Sequence, residues 1–150
     1  MVAQQIVRVR DLRPDEMQAI LDIEYKCFKD PYPLGLLNHL YSLHPDGFLV
    51  AEVNGKIVGY AIAVMRWWRT GHILAIGVDP LYRRRGIGSM LMTSALNRLR
   101  EKGAREVRLE VRASNRAAQK FYLKLGFVQR EMIPAYYADG EPGIVMVYRF

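Results

Sequence analysis

The segment from His72 to Val111 constrains the fold more than any other part of this 150-residue chain. Apolar residues dominate the strand-length run His72–Val78, which ends at Asp79-Pro80. Apolar residues then recur at helical spacing from about Gly86 to Lys102, and Glu106–Arg112 alternates charged and apolar side chains as a half-buried strand does. This order predicts an α/β layered domain with a strand–helix–strand unit at the centre of one sheet.

The rest of the chain supplies further strands and helices around that unit. Asn54-Gly55 predicts a tight hairpin turn, because this pair provides the positive φ angles that such a turn requires. The chain is long enough for one buried core and too short for two ordinary domains, so we expect a single domain over residues 1–150. The patterns place strands at Ile6–Arg10, Phe48–Val53, Ile57–Met65, Phe127–Met132 and Ile144–Phe150, and helices at Pro14–Phe28, Leu34–Leu43 and Ala117–Leu125.

Composition limits where the protein works and what it binds. No apolar run approaches the ~18 residues of a transmembrane helix, and the polar start of the chain lacks the apolar core of a secretory signal. We therefore expect a cytoplasmic protein with no membrane partner. Cys27 is the one cysteine and cannot form an internal disulfide, and no Cys/His cluster has the spacing of metal ligands. We expect no metal site, and we assign Cys27 no chemistry.

The net charge of +7 favours anionic partners such as nucleotides, phosphorylated cofactors and ribosomal RNA. Arg83–Arg85 stand just before the predicted helix that Gly86 and Gly88 open. Free N–H groups and the positive end of the helix dipole suit an anion there. The spacing Arg-x-x-Gly-x-Gly matches neither a P-loop nor a dinucleotide fingerprint. Two interpretations stay open, an anion site and a basic loop that only starts a helix.

This Arg-x-x-Gly-x-Gly pattern, which follows Val78-Asp79-Pro80, resembles the acetyl-coenzyme A signature of the GNAT superfamily of acetyltransferases. The sequence LEVRASNRAA at Leu109–Ala118, followed by Phe121-Tyr122 and Leu125-Gly126-Phe127, resembles the second half of the same fold. The resemblance implies the α/β GNAT fold, with a single mixed, mostly antiparallel sheet flanked by about four helices.

Two further segments narrow the resemblance to RimI-like and archaeal or eukaryotic protein N-terminal acetyltransferases. Tyr136–Glu141 resembles their substrate-side loop, and Gly71-His72-Ile73 resembles the start of their central strand. The resemblance implies transfer of acetyl from acetyl-CoA to the N-terminal α-amine of proteins, with ribosomal proteins or the ribosome among the candidate partners and no specific nucleic acid. A GNAT enzyme for a small amine or a lysine side chain is the alternative. A non-catalytic RNA- or ribosome-binding module, in which Arg83–Arg85 hold phosphates, is a more distant one.

The resemblance also implies which residues bind the cofactor. The backbone of Ile76, Gly77 and Val78 should run beside the pantetheine arm, and Asn115 and Tyr122 should lie near the thioester. Gly77 is notable independently, because a glycine inside a strand often marks a bulge or a close approach by another backbone or a ligand. The residues that should take the pyrophosphate are Arg83, Arg84, Arg85, Gly86, Ile87, Gly88 and Ser89.

Glu110 is the candidate catalytic base, since it matches the glutamate of the family's Leu-Glu-Val-Arg strand. It shares a polar strand face with Arg108 and Arg112, which is also typical of a charge-paired surface, and these arginines would make its carboxylate a weaker base. Tyr122 is the candidate acid for the leaving thiolate, with core packing as its alternative role. His72 could relay a proton, bind a metal with Glu110, or be a structural histidine.

On the substrate side, the resemblance brings Asp30, Tyr32, Tyr136 and Tyr137 to the mouth that receives the first residues of a peptide. Asp30 stands where related enzymes often carry glutamate. Glu141 is followed by Pro-Gly where they carry an acidic residue and alanine. Both departures fall near the substrate, so the sequence predicts the cofactor more firmly than the preferred first residue.

Overall fold

The computed structural model describes residues 6–150, which form seven β-strands and four α-helices. Short 3-10 turns at Pro14–Glu16, Pro45–Gly47 and Pro80–Tyr82 precede α1, β2 and α3. The strands are β1 (Val7–Asp11), β2 (Phe48–Val53), β3 (Lys56–Trp67), β4 (Thr70–Val78), β5 (Glu106–Arg112), β6 (Val128–Ile133) and β7 (Gly143–Arg149). The helices are α1 (Met17–Cys27), α2 (Leu34–Leu43), α3 (Ile87–Glu101) and α4 (Arg116–Lys124).

The strands form one mixed sheet in the order β1-β2-β3-β4-β5-β7-β6. β4 and β5 pair in parallel, and the pairs β1–β2, β2–β3, β5–β7 and β6–β7 are antiparallel. Parallel neighbours need a crossover connection, and α3 provides it between β4 and β5. This confirms the predicted α/β sheet with the strand–helix–strand unit at its centre.

The contacts group into two compact units. The first comprises the described residues up to Ala63 together with Ala75–Asn97, and the second comprises Val64–Leu74 and Arg98–Phe150. Each unit has its own buried apolar side chains. Those of the first include Ile20, Leu37, Phe48, Ile62, Ile87 and Leu91, and those of the second include Leu99, Val107, Leu109, Phe127 and Met146. The single domain over residues 1–150 stays a prediction.

Most element boundaries lie within two residues of the predicted ones. Asn54 and Gly55 have φ angles of 51° and 80°, as the predicted hairpin turn requires. The prediction is less accurate at the next turn, where β3 runs to Trp67 and β4 begins at Thr70. Contacts across this hairpin explain the longer strands, because Arg66 hydrogen-bonds to His72 and the ring of Trp67 lies 5.0 Å from that of His72.

Gly71 shows how tightly the second unit is packed at the start of β4. A Cβ atom on Gly71 would lie 2.7 Å from Cδ1 of Leu99, which is a separation that real Cβ atoms essentially never show. Leu99 is itself buried on α3. A side chain at position 71 would therefore force Leu99 out of its buried position against the strand. Of the helices within residues 6–150, none has the length and apolar character that crossing a membrane requires.

Candidate active site

The segment between β4 and α3 contains the residues for which an anion site is predicted. Arg84 and Gly86 adopt positive φ angles of 64° and 77°, and the space that a Cβ on Gly86 would enter is open. The N–H of Met90 bonds to the carbonyl of Gly86 at 3.1 Å, so the helical ladder starts there. The N–H groups of residues 87–89 then have no acceptor within the helix. Open space, free donors and the helix dipole together fit a pyrophosphate.

The arginines of this loop have different surroundings. Arg83 donates from Nε to the carbonyl of Val78 at 3.1 Å and from Nη2 to Sγ of Cys27 at 3.4 Å. The guanidinium of Arg85 lies 5.0 Å from the ring centre of Tyr82. All three arginines are exposed. Arg83 thus fastens the loop to the end of β4, while its role toward a pyrophosphate stays a prediction.

Gly77 lies on β4 beside side chains of the first unit. A Cβ at this position would lie 3.0 Å from Cε1 of Tyr60 and 3.4 Å from both Cys27 and Ile23. A side chain at position 77 would therefore press on the ring of Tyr60, which would have to give way by a few tenths of an ångström. The carbonyl of Val78 also accepts from Sγ of Cys27 at 3.4 Å. Backbone contacts of Ile76–Val78 with a pantetheine arm stay a prediction.

Glu110 lies at the centre of a hydrogen-bonded cluster in the second unit. Its Oε1 is 2.6 Å from Nε2 of His72, and its Oε2 accepts from Nε of Arg108 at 2.9 Å. The hydroxyl of Tyr136 donates to Oε1 at 3.4 Å. Burial opposes ionisation of this carboxyl, but the hydrogen bonds from His72 and Arg108 and the charge of Arg108 outweigh it and hold the pKa of Glu110 below its usual range. Glu110 is therefore an ionised, weakly basic carboxylate.

The partners of His72 indicate its tautomer. Nη1 of Arg66 lies 3.1 Å from Nδ1 of His72, and a guanidinium can only donate. Nδ1 is therefore the acceptor, and Nε2 carries the hydrogen that is donated to Glu110. Both ring nitrogens are thus engaged within the protein. Across residues 6–150, no group of three or more His, Cys, Asp or Glu side chains could hold a metal ion.

Tyr122 lies on α4 among aromatic rings. Its ring centre is 5.4 Å from that of Phe121 and 5.9 Å from that of Phe127. Burial, together with the nearby phenol of Tyr137, raises the pKa of Tyr122, so the hydroxyl keeps its proton near neutral pH. No hydrogen bond or ring contact in the described part of the chain links Tyr122 to Glu110. The catalytic assignment of Tyr122 stays a prediction.

Asn115 begins α4 as its N-cap. Its Oδ1 accepts the backbone N–H of Ala118 at 3.1 Å, which satisfies one of the free donors of the first turn. The residue is exposed. This capping role is compatible with the predicted place beside the thioester, which stays a prediction.

Arg112 contacts three residues of the predicted substrate-side loop. It is not among the site residues predicted from the sequence. Its Nη1 donates to Asp139 at 2.9 Å and to Glu141 at 2.8 Å, and its guanidinium lies 4.2 Å from the ring centre of Tyr137. Hydrogen bonds from Ser114 and Arg112 lower the pKa of Glu141 to about 2. The alternation of β5 could have suggested this role, because it places Arg112 on the same face as Glu110.

The loop also places its two tyrosines. Tyr136 and Tyr137 meet edge to face, with ring centres 5.0 Å apart. A Cβ on Gly143 would lie 2.9 Å from Cγ of Tyr136, so the glycine leaves room for that ring. The structure thereby brings Tyr136 to the carboxylate of Glu110.

Glu24 is a second missed residue, and it lies beside the segment that carries Asp30 and Tyr32. Its Oε2 accepts the backbone N–H of Tyr32 at 2.9 Å, and its Oε1 accepts from the hydroxyl of Tyr60. Burial raises the pKa of Glu24 despite these two hydrogen bonds. The helical stripe that contains Ile20 could have indicated its burial. Asp30 is exposed and Tyr32 is half-buried, and their contact with a substrate stays a prediction.

Comparison with known proteins identifies the family to which the chain is similar. Residues 17–127 match the model of the acetyltransferase (GNAT) family. The chain is 34% identical to an N-alpha-acetyltransferase of Sulfurisphaera tokodaii, over 93% of this chain and 90% of that protein. The crystal structure of Ard1 from Thermoplasma volcanium has a TM-score of 0.90 and 33% identity, with 95% and 97% of the two chains covered.

A third comparison agrees with these. The structure of the ribosomal-protein-S18-alanine N-acetyltransferase from Escherichia coli has a TM-score of 0.84 and 28% identity, with 96% of this chain and 94% of that chain covered. The mixed sheet and the glycine loop before α3 are consistent with the matches, and the chain belongs to the GNAT family of acetyltransferases.

Proposed function

We propose that the protein transfers the acetyl group of acetyl-CoA to the N-terminal α-amine of peptides and proteins, by direct attack of the amine on the thioester. The observation that carries this proposal is the hydrogen-bonded carboxylate of Glu110, which contacts Tyr136 of the loop assigned to the substrate. The relative from Sulfurisphaera tokodaii, which is named an N-alpha-acetyltransferase, supports the same choice of amine.

The basicity of Glu110 favours an α-amine over a lysine side chain. An α-amine has a pKa of about 7.7–8.0, so roughly a third of it is neutral at pH ~7.5. A lysine amine has a pKa of about 10.4, so only about 0.1% is neutral at the same pH. The lowered pKa of Glu110 makes it a poor base for removing a proton from lysine. It is adequate for taking up the proton that an α-amine releases during the reaction.

The proton path uses the cluster in the second unit. A water molecule would carry the proton of the attacking amine to Oε1 of Glu110, where Tyr136 and His72 also converge. His72 donates to this carboxylate, and Arg108 balances its charge, so the two residues keep it ionised and oriented. We assign His72 a positioning role rather than a proton relay, because Arg66 occupies its other nitrogen.

Tyr122 would act on the leaving thiolate. Its raised pKa lies above the ~8.5 of a thiol, so complete proton transfer from the phenol to the thiolate would be uphill. A hydrogen bond donated to the developing thiolate lowers the barrier without that transfer. The pyrophosphate of acetyl-CoA would be held by the N–H groups of residues 87–89 and by the loop arginines.

We propose free protein N-termini as the natural substrates, with ribosomal proteins among them. The likeness to the Escherichia coli enzyme, whose name gives a ribosomal-protein alanine as its substrate, supports this choice. Acetyl-CoA with a labelled acetyl group tests the proposal on a panel of lysine-containing peptides that differ in the first residue. Each peptide is also offered with its α-amine blocked.

We expect label on the free peptides and none on the blocked ones, because only the α-amine is sufficiently neutral. Label that persists after blocking would identify lysine as the acceptor and contradict the proposal. A small amine that is acetylated while every peptide stays unlabelled would contradict it as well.

A further inference from the structure

Glu24 occupies a place on α1 where an apolar residue would be expected. Ile20 and Ile23 precede it on the buried side of the helix, and Cys27 follows one turn later. The residue is 2% exposed. A carboxyl group at such a site is costly unless both of its oxygens have hydrogen-bond partners. The hydrogen-bond donors to Glu24 therefore indicate the role of this residue.

One oxygen of Glu24 holds the segment between α1 and α2. Oε2 accepts the backbone N–H of Tyr32 at 2.9 Å. Pro31 and Pro33 flank Tyr32 and have no N–H, so residues 31–33 offer one backbone donor. Glu24 takes that donor. A segment with so few N–H groups cannot form the regular hydrogen bonds of a β-sheet. The buried side chain of Glu24 instead accepts its one backbone N–H.

The other oxygen leads to β4. Oε1 accepts from the hydroxyl of Tyr60, which is buried on β3. The ring of Tyr60 lies against Gly77, where an added Cβ would be 3.0 Å from Cε1. A continuous chain of contacts therefore runs from Tyr32 through Glu24 and Tyr60 to Gly77, entirely within the first unit.

We propose that Glu24 is a positioning residue that fixes the segment around Tyr32 relative to β4 at Gly77, so that a peptide bound by this segment lies beside the strand assigned to the pantetheine arm. This inference rests on the proposed function, since it takes the segment as part of the peptide mouth. Glu24 itself touches neither reactant. Either protonation state of the carboxyl can accept the N–H of Tyr32, so the role does not depend on titration in the working range.

Three variants separate this role from a merely structural one. Glu24→Gln keeps an oxygen for the N–H of Tyr32 and an amide donor for the oxygen of Tyr60. Glu24→Leu is similar in size but leaves both groups without this partner. Tyr60→Phe keeps the ring beneath Gly77 and removes only the hydroxyl. Glu52→Gln is a control, because that carboxylate pairs with Arg10 on the neighbouring strand.

We expect Glu24→Leu to raise the KM for peptide roughly three- to tenfold, as the loss of a hydrogen bond of ordinary strength would. The KM for acetyl-CoA should change less than about twofold, since the free N–H groups at the start of α3 are untouched. The peptide KM of Glu24→Gln should be close to that of wild type. The peptide KM of Tyr60→Phe should lie between those of Glu24→Gln and Glu24→Leu. Glu52→Gln should match wild type. Thermal unfolding shows whether each variant is folded.

An unchanged peptide KM in folded Glu24→Leu, or an equal rise in both KM values, would overturn the inference. If Glu24→Leu does not fold, a peptide KM of wild-type size in Tyr60→Phe would overturn it. A rise of the same size in the peptide KM of Glu52→Gln would also overturn the inference, because it would show that the loss of any carboxylate charge has this effect. Failure of the proposed function is a different result, because then the wild-type protein would acetylate no peptide.

Discussion

At the scale of single residues, the site depends on how neighbours set the charge of a carboxylate. Glu110 is held ionised by His72 and Arg108, and Glu24 is held between Tyr60 and the N–H of Tyr32 with a raised pKa. Two glutamates of equal intrinsic acidity thus have shifts of opposite direction. The donors to Glu110 include the charged guanidinium of Arg108, whereas the donors at Glu24 are neutral, and this difference decides the direction.

Glu110→Gln should lower kcat by about ten- to a thousandfold, because an amide cannot take up the proton of the attacking amine. The KM for acetyl-CoA should stay close to that of wild type. Steady-state kinetics with peptide and with acetyl-CoA varied in turn measure both quantities. Glu131→Gln, on the exposed strand β6, is the matched control.

The pH dependence gives a further check on Glu110. Its lowered pKa means that it is already ionised above pH ~5, so kcat/KM of wild type should rise with pH only as the α-amine loses its proton near pH ~8. An activity of Glu110→Gln equal to wild type at every pH would show that Glu110 is only structural.

At the scale of elements, a strand residue orders the loop that follows β6. Arg112 on β5 donates to Asp139 and Glu141, and Glu141 also accepts the N–H of Ser114 at 2.8 Å. A short turn within the loop adds the hydrogen bond from the N–H of Gly140 to the carbonyl of Tyr137. The hydrogen bonds from Arg112 and Ser114 tie the loop to β5 and to the segment before α4.

Arg112→Gln should raise the KM for peptide about three- to thirtyfold and leave the KM for acetyl-CoA unchanged, because charge-assisted hydrogen bonds to two carboxylates are lost. Arg130→Gln is the control, since that arginine is exposed and lies 3.5 Å from Glu106. Equal peptide KM values in the two variants would contradict the ordering role.

The stabilisation that comes from the hydrogen bond between Arg112 and Glu141 depends on pH in a definite direction. The pKa of Glu141 is lowered from 4.5 to about 2 in the folded protein, so its contribution to stability is present above pH ~4.5 and is lost as the pH falls toward ~2. The difference in unfolding temperature between wild type and Arg112→Gln should therefore shrink over that interval.

Local elements were predictable because their patterns are local. The strand at Glu106–Arg112 follows from its alternation, and the hairpin at Asn54-Gly55 follows from one residue pair. The contacts of Glu24 with Tyr60 and of Arg112 with Glu141 were not predictable in this way. They join residues 36 and 29 positions apart, and such pairs depend on strand order and register, which periodicity does not contain.

At the scale of the whole molecule, the excess positive charge belongs to the second unit. That unit contains thirteen Lys and Arg residues against six Asp and Glu, whereas the first contains nine of each. The net charge of +7 is therefore not spread evenly along the chain. Anionic partners will be attracted to the second unit, where Glu110, Tyr136 and Tyr137 lie.

Peptides with acidic residues after the first few positions should accordingly show a lower KM than neutral peptides at low ionic strength. The difference should vanish in about 0.5 M salt, where charges separated by more than ~4 Å are largely screened. The KM of each peptide at several salt concentrations measures this effect. A preference for acidic peptides that survives high salt would point to specific contacts instead of long-range attraction.

The contact between Gly71 and Leu99 has a consequence for how this sequence can change over time. The two positions are 28 residues apart, yet a side chain at the first would occupy space that the second already fills. A larger residue at position 71 would force Leu99 to shift, whereas a smaller residue at position 99 alone would leave a cavity. We therefore expect the residues at positions 71 and 99 to covary among related sequences, with a larger residue at one position matched by a smaller residue at the other.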